Sequence, residues 1–300
     1  MSETTLSVDK QAVRNLVSGF SIETTVRESQ RVERYADLVR SGTRLYIAHV
    51  PGTSPAETVA LAARLRKEGM EPVPHIVARR IESRAALDSI LGQLVGEAGV
   101  RQVLVVAGDI EQAIGELDSG LQILESGLLE KHGLRTIGVA GHPEGHRAVS
   151  NETLHDAVAR KNAYAKRTGA DVYIVTQFVF AAEPIIGWET ATSDVNCLRY
   201  IAGVPGLATI KTLLKYAIDC GVGPSLHAIS KHAANLTKLL TVQTPDELLV
   251  GLAGHKSRHP ESLLAGVHFF PFGGLKRTAE WLNKISDGNF ELTEDGLRVV

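Results

Sequence analysis

Cysteine is scarce in this chain: Cys197 and Cys220 are the only two in 300 residues. They form no CxxC pair and no disulfide framework, which argues against a thiolate zinc knuckle and fits a reducing compartment. Both fall in helix-like or helix-end contexts and read as buried thiols. No charge of one sign dominates. Lys and Arg number 32 against 34 Asp and Glu, a formal net charge of -2, so the basic footprint of a nucleic-acid partner is missing. Apolar runs of about eighteen residues, the length a spanning helix needs, are also missing. The polar start, with Glu3, Asp9 and Lys10, lacks the basic-then-apolar pattern of a signal peptide. A cytoplasmic protein without a membrane partner is expected. Four fingerprints are absent as well: GxGxxG after a strand, GxxxxGK[ST], the GxSxG elbow and a helical HExxH. An open doubly wound nucleotide-binding sheet and a Ser-His-Asp hydrolase thereby lose their usual signals.

What the chain does contain is a set of polar side chains at the ends of short hydrophobic runs, recurring about every thirty residues: Glu23, His49, His75, Asp109, His142 and Gln177. The runs are Val17–Ile22, Leu45–Ala48, Pro72–Pro74, Val103–Ala107, Ile137–Ala140 and Val172–Thr176, most of them short and β-branched, as strands are. Amphipathic stretches alternate with them at Ala56–Lys67, Ser83–Glu97, Leu117–Lys131, Asn151–Arg167 and Glu189–Arg199, with caps such as Ser54 and Asn151. Gly69, Gly99, Gly133 and Gly169 each sit just before the next strand, where a helix ends in a left-handed residue. With Leu16–Thr24 as the first strand, Tyr200–Pro205 as the seventh and Ala265–Phe270 as the last, the count is eight. An α/β fold follows: a (β/α)8 TIM-type barrel, with extra helices in the C-terminal third at Leu207–Cys220, Leu226–Leu240 and Asp246–Leu252. Residues 1–300 read as one catalytic domain, with a polar leader at 1–14 and a terminal tail from 286. Within that tail, Asp287–Val300 suggests a hairpin turning at Glu294-Asp295-Gly296.

In such a barrel the C-terminal strand ends share one face, so the recurring polar groups share one pocket. Glu23, between Ile22 and Thr24, is partly desolvated by its position and suits a general acid; a rim ion pair with Arg27 or Arg44 is the structural alternative. Asp109 follows Gly108, which permits close approach of backbone to a ligand; a helix N-cap is its alternative. His49, His75, His142, His146 and His268 fall at or just after strand ends, either as site groups or as hydrogen-bonded rim residues. His132, His155, His227, His232, His255 and His259 lie on helices or loops and receive no role. A metal-dependent amidohydrolase barrel wants His-x-His on its first strand, and this one carries Glu23 and no histidine, so no metal is expected. Gln177 beside Phe178 and Phe180 offers an amide and aromatic walls to a flat heterocycle, unless the phenylalanines are a core pair.

These runs, in this order and over nearly the whole chain, resemble the methylenetetrahydrofolate reductase family, a (β/α)8 barrel. Ser21-Ile22-Glu23-Thr24 stands for the family's Phe-Glu-Phe-Phe-Pro-Pro, Pro74-His75 for its Pro-His, and Ala107-Gly108-Asp109 for its Arg-Gly-Asp. Ala140-Gly141-His142-Pro143-Glu144-Gly145-His146 is similar to Ala-Gly-Tyr-Pro-Glu-Gly-His. Gly169-Ala170-Asp171 with Val175-Thr176-Gln177-Phe178-Val179-Phe180 is similar to Gly-Ala-Asp with Ile-Thr-Gln-x-Phe-Phe, and Gly266-Val267-His268-Phe269-Phe270 to Gly-x-His-Phe-Tyr.

The resemblance implies that NADH or NADPH reduces a non-covalent FAD, whose hydride then converts 5,10-methylenetetrahydrofolate to 5-methyltetrahydrofolate. It implies that Glu23 protonates folate N10, that Asp109 tunes charge beside flavin and pterin, and that Gln177, Phe178 and Phe180 bind the folate. His49, His75, Ala140, His142 and His146 would then fall among flavin contacts. Arg147 and Lys161 could pair a diphosphate, or else form surface salt bridges. Family habit adds a homo-oligomer. The chain departs from the pattern at Thr24-Thr25-Val26-Arg27, Ala48-His49-Val50, Ala107, His142 and Phe269-Phe270-Pro271-Phe272-Gly273. Several of these positions wall the flavin. A flavin-independent or oxidising-direction folate oxidoreductase is therefore a second expectation, and a metal-dependent barrel hydrolase a third.

Overall fold

The computed structural model describes residues 8–222, 238–294 and 296–300. Eight parallel strands close into a barrel: β1 (Ser21–Thr24), β2 (Arg44–Ile47), β3 (Glu71–Val77), β4 (Gln102–Val106), β5 (Thr136–Gly141), β6 (Asp171–Phe178), β7 (Tyr200–Pro205) and β10 (Leu264–Phe270). Two-residue strands β8 (Ala208–Thr209) and β9 (Val242–Gln243) pair between the seventh and eighth staves. Closure is made by β1 against β10, with Ser21 opposite His268 and Ile22 opposite Phe269. The terminal segment forms the expected hairpin, β11 (Phe290–Thr293) with β12 (Gly296–Val299).

Side-chain alternation builds two separate apolar layers from the same strands. Ile22, Leu45, Ile47, Val103, Val105, Ile137, Val139, Val172 and Ile174 pack outward in the core shared with the helices. Tyr46, Val73, Leu104, Tyr173, Val175 and Ile201 point inward as a second cluster that fills the lumen. Gly138 on β5 makes room for that filling, since a Cβ there would lie 3.1 Å from the Tyr173 hydroxyl.

Several helices start on serines. Ser54 and Glu57 form a reciprocal capping box at Pro55–Lys67, and Ser83 caps Arg84–Gly96. Gly69, Gly99, Gly133 and Gly169 all take positive φ, 84°, 62°, 72° and 66°, so the reading of the helix ends holds. Several boundaries differ from the expected ones. Leu16 and Val17 do not open the first strand. They end a helix, Lys10–Val17, that Asp9 caps through the Ala12 N–H, and with Val13 they bury its apolar face. The apolar run continues across Ser18-Gly19, which hid the break. Ser150, not Asn151, caps Asn151–Thr168, and the expected Leu117–Lys131 helix is two pieces, Gly120–Glu125 and Leu128–Lys131, separated by Gly127 at φ 76°. The helix expected at Glu189–Arg199 lies earlier, at Glu183–Ala191, started by Pro184 in its first turn. Ile210–Cys220 and Asp246–Arg258 match two of the extra C-terminal helices, and a further one, Leu275–Ser286, follows the last barrel strand. The expected Leu226–Leu240 helix falls outside the described residues except for a 3-10 turn at Lys238–Leu240. Both cysteines are free and exposed, not buried: Cys220 ends a helix and Cys197 lies in the irregular segment before β7. Among the described residues no helix is long and apolar enough to cross a membrane.

One glycine positions the mouth. β6 carries an irregularity between Val175 and Phe178 where it pairs β7, and Gly203 sits against it, its N–H donating to Thr176 Oγ1 at 2.8 Å. A Cβ at Gly203 would stand 2.4 Å from the Thr176 carbonyl oxygen and 2.7 Å from that of Gln177, both backbone atoms. Gly203→Ala is therefore expected to destabilise the fold by roughly 1–3 kcal/mol through overpacking. A chemical denaturation midpoint equal to that of the parent chain would refute this.

Candidate active site

Strand alternation sends Ile22 outward and Ser21 and Glu23 into the lumen. Glu23 stands opposite Tyr46 on β2, near the C-terminal end of β1. Two imidazoles converge on its Oε1: His75 Nε2 from β3 at 3.4 Å and His268 Nε2 from β10 at 3.6 Å. The Glu23 side chain is 15% exposed and that of His268 not at all. Burial pushes the Glu23 carboxyl above its ordinary value, outweighing the opposing pull of His75. Burial also lowers His75, and lowers His268 to about 3, with Arg44 adding to the effect. Both rings are thus neutral near pH 7. The sequence alternative for Glu23, an ion pair with Arg44, is not formed; that guanidinium donates to the Gly19 carbonyl at 2.9 Å.

Beneath Glu23 the lumen has a polar seam. The Tyr46 and Tyr173 hydroxyls are 2.8 Å apart, Tyr173 donates to Gln102 at 3.4 Å, and the Tyr46 ring lies 4.3 Å from that of His268. His268 Nδ1 is 2.9 Å from Ser21 Oγ. The sequence reading singled out Glu23 and His75 but gave Tyr46, Tyr173 and Ser21 no part. The alternation of Leu45-Tyr46-Ile47 carried the signal, since the middle residue must face inward when its neighbours face the helices.

Beside β2, β3 and β4 lies a second group. Arg80 donates to Asp109 Oδ1 at 2.8 Å, and that hydrogen bond holds the exposed carboxyl below its ordinary value. No helix starts at Asp109, so the N-cap alternative falls away. His49 is lowered by burial and by Arg80.

At β5 and β6 lies a third. The His142 and His146 rings meet edge to face at 5.4 Å. Burial, aided by Lys161 and His146, drives His142 to about 3. Lys161 is itself turned inward, donating to the Ala140 carbonyl at 2.7 Å, and burial brings it down to about 8. Arg147 is exposed. Gln177 accepts from the Phe178 N–H through Oε1 at 3.0 Å, which leaves its amide hydrogens for a ligand. Phe178 is 1% exposed, with ring centroids 5.4 Å from Phe270 and 5.0 Å from Phe272, and with Gln177 and Val179 it borders the cavity beside residues 142–146. The irregularity in β6 sets Phe178 opposite Gly203, and its ring packs with Ala217 and Val222 under Ile210–Cys220. Phe180 packs against it at 5.7 Å, while Phe270 lies 4.8 Å from His268 and is the aromatic group nearer the acid. Among the described residues no group of three or more His, Cys, Asp or Glu is placed to hold a metal ion.

The flavin implied by the resemblance can be tested against these positions. A flavin dinucleotide needs a cation or free helix N–H groups at its diphosphate and an open slot for its ring. Lys161 is turned inward, with one of its N–H groups on the Ala140 carbonyl. His75 is turned onto Glu23. Residues 142–146, 177–179 and 220–222 together line only a small cavity. At these positions the described side chains leave no slot of flavin-ring size.

Comparison with known proteins gives one family and one fold. A family model described as methylenetetrahydrofolate reductase matches residues 29–231. Among solved structures, an uncharacterized protein from Clostridium thermocellum, described as binding two copies of 5-methyl-5,6,7,8-tetrahydrofolic acid, superposes with a TM-score of 0.57 at 13% identity, covering 93% of this chain and 98% of its own. A xylose isomerase domain containing protein from Salmonella typhimurium follows at a TM-score of 0.46 and 12% identity, covering 91% and 94%. A family 18 chitinase from Crocus vernus gives 0.47 at 10%, covering 89% and 98%. At such identities the likeness is one of barrel architecture.

Proposed function

Since the chain belongs to the methylenetetrahydrofolate reductase family, matched over two thirds of its length, we propose that it interconverts 5,10-methylenetetrahydrofolate and 5-methyltetrahydrofolate at the mouth of one catalytic barrel, with hydride exchanged directly with NADH or NADPH. The observation that carries this reading is Glu23: a carboxyl whose protonated form burial favours, at the C-terminal mouth, between two neutral imidazoles. In the reducing direction Glu23 delivers its proton to folate N10. The N10–methylene bond breaks, its electron pair staying on nitrogen, and the one-carbon unit becomes an iminium on N5. Hydride from the dihydronicotinamide adds to that carbon; the nicotinamide is oxidised and the iminium reduced to a methyl group. In the opposite direction the Glu23 carboxylate takes the N10 proton back.

Gln177 supplies amide hydrogens to the pterin edge, and Phe270, packed on Phe178, contributes the apolar wall. Asp109, kept ionised by Arg80, sets a fixed negative charge beside the reacting groups, with His49 next to it. The Clostridium thermocellum protein, described as a 5-methyltetrahydrofolic acid binder on a similar barrel, supports a folate as the ligand. The inward turn of Lys161 and the small cavity at residues 142–146 favour direct transfer over a resident flavin, and no step above passes through one.

The test is turnover of 5,10-methylenetetrahydrofolate with NADH or NADPH under anaerobic conditions, with and without added FAD, alongside a visible absorbance spectrum after FAD addition and desalting. Turnover by colourless protein, unchanged by FAD, is the expected result. Flavin bands that survive desalting and bleach with NADH would restore the flavin route. No turnover in either direction would remove the folate reading.

A further inference from the structure

Ser21 is wholly buried, and its hydroxyl has one hydrogen-bond partner, His268 Nδ1 at 2.9 Å. If that nitrogen carried the hydrogen, the serine O–H would be left buried without an acceptor, a cost of about 1–3 kcal/mol. The economical arrangement has the serine donating, Nδ1 accepting, and the ring hydrogen on Nε2. That Nε2 is buried, has no conventional hydrogen-bond partner, and stands 3.6 Å from Glu23 Oε1. The Tyr46 ring at 4.3 Å and the Phe270 ring at 4.8 Å hold the imidazole in place from β2 and from its own strand.

We propose that Ser21 and His268 form a positioning pair for the Glu23 acid: the serine hydroxyl fixes the imidazole with its hydrogen on Nε2, and that N–H orients the Glu23 carboxyl and stabilises the carboxylate left when the proton departs. This rests on the reading of Glu23 as the acid. His268 is not itself an acid, because burial keeps it neutral through the working range. It acts as a hydrogen-bond donor whose strength grows as negative charge appears on Glu23, which is the direction that favours proton delivery. Other groups face the same carboxyl or bear on the pair. His75 lies across from it at 3.4 Å, Glu28 is on the turn after β1, Arg44 lies at the start of β2, and the Cys220 thiol is on the far side of the mouth. Among the described basic and imidazole side chains, His75 and His268 alone come within 4 Å of the Glu23 carboxyl oxygens. His75 has no hydroxyl setting its tautomer, so the fixed donor is His268.

The tautomer is read directly from long-range proton–nitrogen correlations of the full chain labelled with 15N-histidine. Hydrogen on Nε2 of His268 is expected, and hydrogen on Nδ1 would overturn the pair. A titration of the 13C-labelled Glu23 carboxyl gives the second reading. Its midpoint should rise by about one pH unit in His268→Leu and by less in Ser21→Ala, and should stay near the parent value in His268→Gln, whose amide can replace the Nε2 donor. An unmoved midpoint in both His268→Leu and Ser21→Ala would equally overturn it. In turnover, Ser21→Ala should lower kcat about ten-fold with KM for the folate unchanged, because only the charge developed during proton transfer is affected. The first two readings need no turnover. A chain that does not process methylenetetrahydrofolate yet shows the Nε2 tautomer and the shifted midpoint loses the functional reading and keeps the pair. Turnover with the Nδ1 tautomer does the reverse.

Discussion

Replacing Glu23 by glutamine is expected to lower the rate of hydride transfer to the folate by roughly 10²- to 10⁴-fold, the contribution of a positioned acid. The substitution is close to isosteric, so the packing between His75 and His268 survives and the amide still meets both imidazoles. What is lost is the transferable proton. Without it N10 is a poor leaving group, the iminium does not form, and hydride has no acceptor. Affinity for the reduced nicotinamide should change little, and so should the folding transition. Anaerobic single-turnover kinetics, following nicotinamide oxidation, separates these effects; a rate within about three-fold of the parent would end the acid assignment. A pH profile of the parent chain gives the complementary result. The reducing reaction needs Glu23 protonated, so its rate should fall as pH rises through the elevated carboxyl value. Because burial is the main cause of that elevation, the fall should come above the ordinary carboxylate value.

Acid lability is the second large effect. His268 and His142 are each held at about 3, whereas an exposed imidazole titrates near 6.5. Below that pH the unfolded chain binds protons that the folded chain refuses. The stability these two rings contribute is complete above about 6.5 and is lost as pH falls toward 3. Lowering the pH from 6.5 to 5 should cost about 2 kcal/mol through His268 and less through His142, which is partly exposed. Glu23 works in the opposite sense. Its raised value withdraws stability as pH rises through and above the ordinary carboxylate range, so part of the acid loss is offset. Calorimetric melting between pH 7.5 and pH 5 should show Tm falling, with a shallower slope in His268→Gln and a smaller change of slope in His142→Gln. A melting temperature flat across that interval would contradict the burial of both rings.

The architecture was legible because its signals are local. A C′ glycine needs left-handed backbone wherever it falls, and Gly69, Gly99, Gly133 and Gly169 all show it. Glu23 was legible for a related reason: a carboxylate flanked by apolar strand residues is conspicuous wherever its strand ends up. Phe178 was not. Its burial depends on packing with Ala217 and Val222 under a later helix, a relation between residues far apart in the chain. Lys161 was misread for a similar reason, because a lysine on a polar helix looks available until the fold lays the Ala140 carbonyl beneath it. The first helix was mistaken for strand because Leu16, Val17, Phe20 and Ile22 make one apolar run, although Ser18 and Gly19 bend the chain between two faces of the same core.

Tyr46 and Tyr173 meet across the lumen with Val73, Leu104, Val175 and Ile201 packed about them, and that closed floor has a kinetic consequence. Among the described residues the lumen beneath Glu23 is filled, so Glu23 is approached from the mouth. In the proposed reaction the hydride donor and the folate must stand in it together, and neither can leave by another exit while its companion blocks the way. Order of arrival and departure then becomes a property of the barrel itself, and the spent pair must vacate before a fresh pair is admitted.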